Sequence, residues 1–239
     1  MSTLSLKSFV QAARALIEFN DFEKLDSKRN LVLIRIMDRH LDAPLRQLVE
    51  TYRPDVETIS YEALRAKPSG STGLFLCEFT HEQAMALKQN DEAIQIALFC
   101  EDPLLRLRRH YDNLAAQTAG ARESFSLRYP DFTAFVDSQR DNPVATATVG
   151  AFDGFPDVRQ RLESYDFIGL YTHWRKSRAA LLRLLDVSQR AAANDDTVAY
   201  AAPAVGFTGM ELEAFYRISP IDIRMTLFLR RIYDQMGRY

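Results

Sequence analysis

The sequence predicts an α/β fold in which a mainly parallel sheet is flanked by helices on both faces. Short apolar runs of strand length recur along the chain, and segments with helical periodicity alternate with them. The 239 residues are 47% hydrophobic and 26% charged, a composition that supports one full hydrophobic core. Because no repeat or interdomain linker interrupts the pattern, we expect a single domain over residues 1–239.

The predicted strands are short and mostly apolar, as expected where both faces of a parallel sheet are covered by helices. Each is bounded by polar or turn-forming residues, which sets its length. In chain order the strands are Leu31–Ile36, Val56–Tyr61, Gly73–Phe79, Ile94–Cys100 and Phe167–Tyr171.

The predicted helices follow from apolar residues at helical spacing and from recognisable first turns. Asp42 is expected to cap the helix after the first strand, and Pro44 suits its first turn. Asp102 with Pro103, and Asp131, mark two later helix starts. The helices are one within residues 1–28, then 42–52, Ala63–Ala66, His81–Lys88, Pro103–Gln117, Asp131–Gln139, Val158–Leu162, Ser177–Val187, Glu211–Arg217 and Ile221–Met236.

Residues 118–156 are predicted to form a mobile region beside the functional site. Thr118–Pro130 reads as an exposed connection, and Asn142–Pro156 mixes Pro, Thr, Gly and Asp with few apolar anchors. A second polar stretch, Ala191–Ala204, is predicted to be a surface loop.

Composition argues against several classes of protein. The net charge of -2 gives no field that would attract nucleic acid or an anionic membrane. The apolar stretches fall short of the ~20 residues of a membrane helix, and the N-terminus lacks the features of a signal peptide. Cys77 and Cys100 lie in apolar runs, which favours buried reduced thiols. We therefore expect a soluble, cytoplasmic protein.

No pattern of metal ligands or of a nucleophile stands out in the sequence. The four histidines, His40, His81, His110 and His173, are scattered without the spacing of a metal site. Neither G-x-S-x-G nor an intact Walker loop occurs. We therefore expect no metal.

Two segments that follow predicted strands carry the most informative residues. After the first strand, Asp38–Leu45 reads D-R-H-L-D-A-P-L and leads into a helix. After the fourth strand, Glu101–Tyr111 reads E-D-P-L-L-R-L-R-R-H-Y, with Arg106, Arg109 and His110 on one helix face. Basic groups at the carboxyl end of a parallel sheet can hold an anionic ligand.

The element order, these two segments and Tyr165–Leu170 (Y-D-F-I-G-L) resemble the carbohydrate sulfotransferases, especially the heparan-sulfate and chondroitin-type group and its bacterial relatives. The resemblance implies a P-loop nucleotide-kinase-like sulfotransferase fold. It also implies transfer of a sulfuryl group from 3′-phosphoadenosine 5′-phosphosulfate (PAPS) to a glycan or a small hydroxylated acceptor. Residues 118–156 correspond to the variable acceptor side.

The resemblance assigns roles to five residues. Arg39 stands at the lysine position of the family's first loop and would contact the sulfuryl group and the donor. Glu78, in Cys77–Phe79, stands at the position of the base that activates the acceptor hydroxyl, with His81 as an alternative. His40, Arg106 and Arg109 would help to bind the donor; paired to Glu101 or Asp102, the arginines would instead be structural.

Both segments depart from the family pattern. In the first, Leu41 and Asp42 replace the glycines that let amides approach phosphate, and Pro44 removes one donor. In the second, Glu101 replaces an arginine that binds the 3′-phosphate, and Arg109 replaces a serine that shares this task. Asp42 in particular places a carboxylate where a phosphate would sit.

Two classes of function follow from this mixture of kept and lost residues. The first is a divergent, PAPS-dependent sulfotransferase. The second is a catalytically inactive protein of the same fold that acts by binding, as a partner in glycan biosynthesis. A third possibility is that the altered loop accepts a different donor.

Overall fold

The computed structural model describes residues 30–117, 122–187, 200 and 205–236. The predicted N-terminal helix (1–28) and nearly all of the predicted loop 191–204 lie outside these residues. Within them, five parallel strands form one sheet in the order β2-β3-β1-β4-β5. The strands are β1 (Leu31–Ile36), β2 (Glu57–Ser60), β3 (Gly73–Glu78), β4 (Gln95–Cys100) and β5 (Phe167–Leu170).

Helices connect the strands and cover both faces of the sheet. They are α1 (Ala43–Tyr52), α2 (Tyr61–Arg65), α3 (His81–Asn90), α4 (Pro103–Gln117), α5 (Arg122–Arg128), α6 (Phe132–Asp137), α7 (Pro143–Val149), α8 (Phe155–Leu162), α9 (Trp174–Leu184), α10 (Gly209–Ile218) and α11 (Pro220–Met236). A 3₁₀ turn, Tyr171–His173, joins β5 to α9.

The central strand β1 divides two hydrophobic cores, because alternate side chains of a strand point to opposite faces. Leu31 and Leu33 pack in the core that includes α6, α8 and α11. Val32 and Ile34 pack against α1 and α9 on the other face. The β1 strand is buried along its whole length, which explains its nearly continuous apolar sequence.

The sheet order places β1 between β3 and β4. Strands β2 and β3 lie on one side of β1 and strands β4 and β5 on the other, so β1 borders the topological switch point of the sheet. Strands β1, β3 and β4 run parallel, and their pairing aligns Leu33 with Phe75 and with Ile96. Their carboxyl ends therefore open at one edge, where open α/β sheets bind ligands. The two informative segments, after β1 and after β4, meet there.

Helix α7 lies in the segment that the sequence analysis described as irregular and mobile. Asp222 of α11 accepts hydrogen bonds from the amides of Val144 (3.4 Å) and Ala145 (2.6 Å) at the first turn of α7. The Asn142 amide donates to the Ile218 carbonyl at 2.6 Å. Because these partners are distant in sequence, the local sequence of residues 142–149 did not predict α7. The mobility of residues 118–156 stays a prediction.

Gly169 of β5 permits the close packing of β5 against β4. A Cβ atom on Gly169 would lie 2.5 Å from the Phe99 ring. We expect Gly169→Ala to lower the free energy of unfolding by about 1–3 kcal/mol through overpacking. Gly209→Ala, where a Cβ would meet nothing within 4 Å, is the control and should be neutral or stabilising. Urea denaturation measures both, and equal stability of the two variants would refute this packing constraint.

Burial raises the pKa of Asp222 to about 6, against the opposing hydrogen bonds from the amides of Ala145 and Val144. Because this folded-state pKa exceeds the unfolded value, the carboxyl contributes most stability below about pH 4 and loses it as the pH rises through 6. Relative to Asp222→Asn, the wild type should lose roughly 3 kcal/mol of unfolding free energy between pH 4 and 7.

The matched control for this titration is Thr226→Ala, at another buried polar side chain of α11. Its difference from the wild type should be the same at every pH, since no titrating group is changed. Unfolding free energies measured in urea at several pH values give both differences. A pH-independent difference for Asp222→Asn would contradict the buried, proton-binding carboxyl.

Candidate functional site

Two cavities open at the carboxyl edge of the sheet, on either side of the Met37–Asp38 peptide. The larger is a cleft of about 640 Å³ bounded by the loop after β1, the end of β3, the start of α3 and α7. The smaller, of about 190 Å³, lies between the same loop, α4 and α7. A crevice at this edge is the expected ligand position in the fold.

The loop after β1 directs its backbone amides at its own carboxylates. Asp42 Oδ2 accepts from the amides of Met37 (2.8 Å) and Asp38 (3.0 Å). Asp38 Oδ1 accepts from the amides of His40 (2.8 Å) and Leu41 (3.0 Å). Burial opposes ionisation of Asp38, but the Leu41 and His40 amides hold its pKa below the ordinary value. Four amides of this loop are thus already bound to anionic oxygen.

The prediction that Asp42 caps the following helix is wrong. Its side chain makes no capping hydrogen bond with α1, because the carboxylate turns back towards the end of β1. There its Oδ1 accepts from Arg106 Nη1 at 3.4 Å and from the Tyr171 hydroxyl at 3.2 Å. The Asp42 side chain is almost completely buried. The sequence analysis expected this carboxylate to bind amides of α1, whereas it binds the end of β1, Arg106 and Tyr171.

The two arginines predicted to bind a donor both reach this edge, and both have carboxylate partners. Arg106 is buried and paired with Asp42. Arg109 Nη1 lies 2.7 Å from Glu101 Oε1, and its Nη2 donates to the Leu41 carbonyl at 2.6 Å. The sequence analysis offered a structural alternative in which these arginines pair with Glu101 or Asp102. Arg109 forms such a pair with Glu101. A role in donor binding stays a prediction for both arginines.

Tyr200 covers the Arg109–Glu101 pair. Its hydroxyl donates to Glu101 Oε1, and its ring centroid lies 5.7 Å from the Arg109 guanidinium carbon. Burial, and then the Glu101 carboxylate, raise the pKa of Tyr200. Among the described residues Glu101 Oε2 has no hydrogen-bond partner. Glu101 is therefore a buried acid with its own cation, Arg109, and its own hydroxyl donor, Tyr200.

Arg39 and Glu78, the two predicted catalytic residues, meet at the rim of the larger cleft. Adjacent strand ends bring them together, and Arg39 Nε lies 2.8 Å from Glu78 Oε1. Both side chains are exposed to solvent. His40 lines the same cleft and is exposed, with its amide bound to Asp38. The cleft thus presents a cation, a carboxylate and an imidazole to any ligand.

A third group at the cleft, formed by Arg35, His81 and Tyr165, was missed as a unit by the sequence analysis. Arg35 interrupts the apolar β1 strand and is nonetheless buried. It donates to the Tyr165 hydroxyl, which lies 3.2 Å from His81 Nδ1. The signal that could have revealed it is a charged residue in the middle of a fully buried strand, since such a charge needs partners.

Burial lowers the pKa of His81 to about 4, and the guanidiniums of Arg35 and Arg161 act in the same direction. The pKa of Tyr165 rises to about 12, chiefly through burial and against the influence of Arg35. Around neutral pH the imidazole and the phenol are therefore uncharged, and Arg35 is the charged member of the group.

His173 and Trp174, which follow β5, pack against neighbouring aromatic rings. The Trp174 ring stacks on Tyr171 with centroids 5.7 Å apart, and His173 lies 5.4 Å from the Tyr233 ring. Over the described part of the chain, no three potential ligands are grouped to hold a metal ion. The helices described there include none with the length and apolarity to cross a membrane. Both cysteines are buried free thiols, as predicted.

No family model matches the chain, and no curated protein matches it. Among solved structures, the chain is similar to the crystal structure of mouse sulfotransferase SULT7A1 complexed with PAP. The TM-score is 0.52 and the identity 13%, and the match covers 94% of each chain. At this identity the likeness establishes the fold alone, and the narrower resemblance to the carbohydrate group stays a prediction. The chain has the sulfotransferase fold, and the predicted α/β class with a parallel sheet is confirmed.

Proposed function

We propose that this chain is a sulfotransferase-fold binding protein that has lost PAPS-dependent transfer and holds a hydroxylated ligand in the larger cleft. The observation that carries the proposal is the occupation of the loop after β1 by the chain's own carboxylates. Asp42 and Asp38 accept from the amides that would otherwise meet a phosphate. A cytoplasmic location, and a glycan or a small hydroxylated molecule as the ligand, belong to the same proposal.

A donor phosphate would have to displace Asp42 from this loop. The displaced carboxylate would lose two amides, the Arg106 guanidinium and the Tyr171 hydroxyl while remaining in a buried setting. Breaking a buried ion pair costs about 3–5 kcal/mol. That penalty weakens binding by roughly two to four orders of magnitude. A Kd of about 1 μM would therefore become roughly 0.1 to 10 mM.

The second segment adds a further obstacle to the same donor. Glu101 occupies the position of the family's phosphate-binding arginine, and its buried carboxylate is neutralised by Arg109. A 3′-phosphate at this position would compete with Glu101 for Arg109 and face an uncompensated negative charge. Asp42 and Glu101 therefore both weaken binding of the nucleotide, one at its 5′ end and the other at its 3′-phosphate.

The larger cleft remains open beside these internal contacts. It is lined by the exposed polar side chains of Arg39, His40 and Glu78. These groups supply both donors and acceptors, which suits the hydroxyl groups of a sugar or a small alcohol. The cleft thus keeps the acceptor side of the fold while the donor side is closed.

Sulfuryl transfer is the second candidate, and the Arg39–Glu78 contact of 2.8 Å favours it. In that reaction Glu78 would take the proton of the acceptor hydroxyl as the sulfuryl group moves from PAPS to the oxygen. Arg39 would stabilise the charge that develops on the transferred group. This function requires the loop after β1 to release Asp42 or the donor to bind in another way.

The first experiment measures the melting temperature of the wild type with increasing 3′-phosphoadenosine 5′-phosphate. We expect no specific shift at millimolar ligand, because Asp42 and Glu101 occupy the positions of its phosphates. A ligand at 100 times its Kd would add about 2.7 kcal/mol of stability. A saturable shift that is lost in Arg109→Gln, or sulfuryl transfer lost in Glu78→Gln, would refute the proposal in favour of the second candidate.

The second experiment tests whether Asp42 is an internal ligand of the loop. Asp42→Ala leaves Arg106 buried without its carboxylate, and we expect the free energy of unfolding to fall by about 3 kcal/mol or more. Asp112→Ala removes the acid of an exposed i,i+4 pair with Arg108 and should cost less than about 1 kcal/mol. Similar losses in the two variants, measured by urea denaturation, would contradict the role of Asp42.

A further inference from the structure

Arg35 places a buried positive charge at the floor of the larger cleft. Its side chain is 3% exposed and donates to the carbonyls of Phe79, Thr148 and Ala147 and to the Tyr165 hydroxyl. All of these acceptors are neutral, and none of the described carboxylates pairs with this guanidinium. An arginine stays protonated even when buried, so its charge is met only by dipoles.

The carboxylates that line the cleft already have partners of their own. Glu78 pairs with Arg39, and Asp38 is held by two loop amides. Glu82 lies in the first turn of α3, where a backbone amide and Thr80 lower its pKa despite partial burial. Its Oε1 packs closely on Gly150, since a Cβ atom added to Gly150 would lie 1.8 Å from it. None of these contacts involves Arg35, which forms no ion pair with a described carboxylate of the cleft.

The guanidinium of Arg35 also has an unused donor. It carries five N–H groups: Nε gives one hydrogen bond, Nη1 two and Nη2 one within the described residues. The remaining N–H is on Nη2, which also donates to the Ala147 carbonyl, and Arg35 lines the cleft. Within the described residues, the cleft is therefore lined by a guanidinium that has one unused N–H and no carboxylate partner.

His81 reports the electrostatic field of this group. It lines the same cleft, and its imidazole is linked to Arg35 through the Tyr165 hydroxyl. After burial, Arg35 is the largest contribution that lowers the pKa of His81 to about 4. An anion placed at Arg35 would reverse this effect, because opposite charge favours the imidazolium.

We infer that the larger cleft binds a small organic molecule through a compact oxyanion, a carboxylate, sulfate or phosphate group, that accepts from Arg35. The inference rests on the proposed function, because both place the ligand in the larger cleft. It adds the chemical class of that ligand and a binding residue that lies outside both motif segments. Hydroxyl groups on the ligand would meet Arg39 and Glu78 at the rim.

The test follows the imidazole C–H resonances of His81 by NMR, assigned with His81→Gln, as the pH is varied. Sodium sulfate, phosphate and acetate are the probes, and sodium chloride at matched ionic strength is the reference. We expect at least one oxyanion to raise the pKa of His81 saturably by about one unit or more. Which probe does so distinguishes tetrahedral from planar groups. Equal titration in all four salts would overturn the inference.

Arg35→Gln should abolish the oxyanion-dependent shift of His81. The control is Arg46→Gln, at an exposed arginine of α1 paired with Glu50, which should leave the shift unchanged. Loss of the shift in both variants would overturn the inference. If Arg35→Gln does not fold, the titration of the wild type still decides, since it reads binding without a substitution.

The result is separable from the proposed function. His110 lines the smaller cavity beside Arg106, so an anion bound on that side would move the resonances of His110. An oxyanion response in His110 without one in His81 would overturn the inference. Binding of 3′-phosphoadenosine 5′-phosphate together with a sulfate response in His81 would refute the proposed function and keep the inference.

Discussion

The carboxylate of Asp42 is the interaction on which the architecture of this edge depends. It joins the amides that end β1, the Arg106 guanidinium of α4 and the Tyr171 hydroxyl after β5. One buried anion thus holds three elements that follow different strands of the sheet. In a low-dielectric setting such a group must keep its partners, because an unpaired buried charge is costly. The loop conformation, the position of α4 and the turn after β5 are therefore set together.

The edge of the sheet divides into a closed half and an open half. On the β4 side, Asp42 pairs with Arg106 and Glu101 pairs with Arg109. On the β3 side, charged groups surround a cleft of about 640 Å³. Asp42, Glu101 and Arg109, which depart from the pattern that the sequence resembles, lie in the closed half. The ion pairs of the closed half thus leave the larger cleft open.

The sequence predicted the strands and most helices well, because burial on both faces leaves a continuous apolar signature in runs such as Leu31–Ile36. The resemblance gave Arg39 and Glu78 roles in one reaction, and the structure brings them into contact because β1 and β3 are adjacent parallel strands. The sequence failed where distant contacts decide local structure. Asp42 was assigned to a helix cap that it does not form, and α7 was missed because its amides are satisfied by Asp222. Arg35 was hidden because its partners are carbonyls, which sequence pattern does not reveal.

The Tyr165 hydroxyl has a single proton and two neighbours that can accept it. One is the Thr148 carbonyl at 3.1 Å, and the other is His81 Nδ1 at 3.2 Å. When the phenol donates to the carbonyl, the imidazole must carry its hydrogen on Nδ1, and Nε2 becomes an acceptor. When the phenol donates to the imidazole, Nε2 becomes the donor. The direction of the Tyr165 hydroxyl proton, which changes by rotation about the C–O bond, is therefore coupled to the tautomer of His81 without any change in net charge.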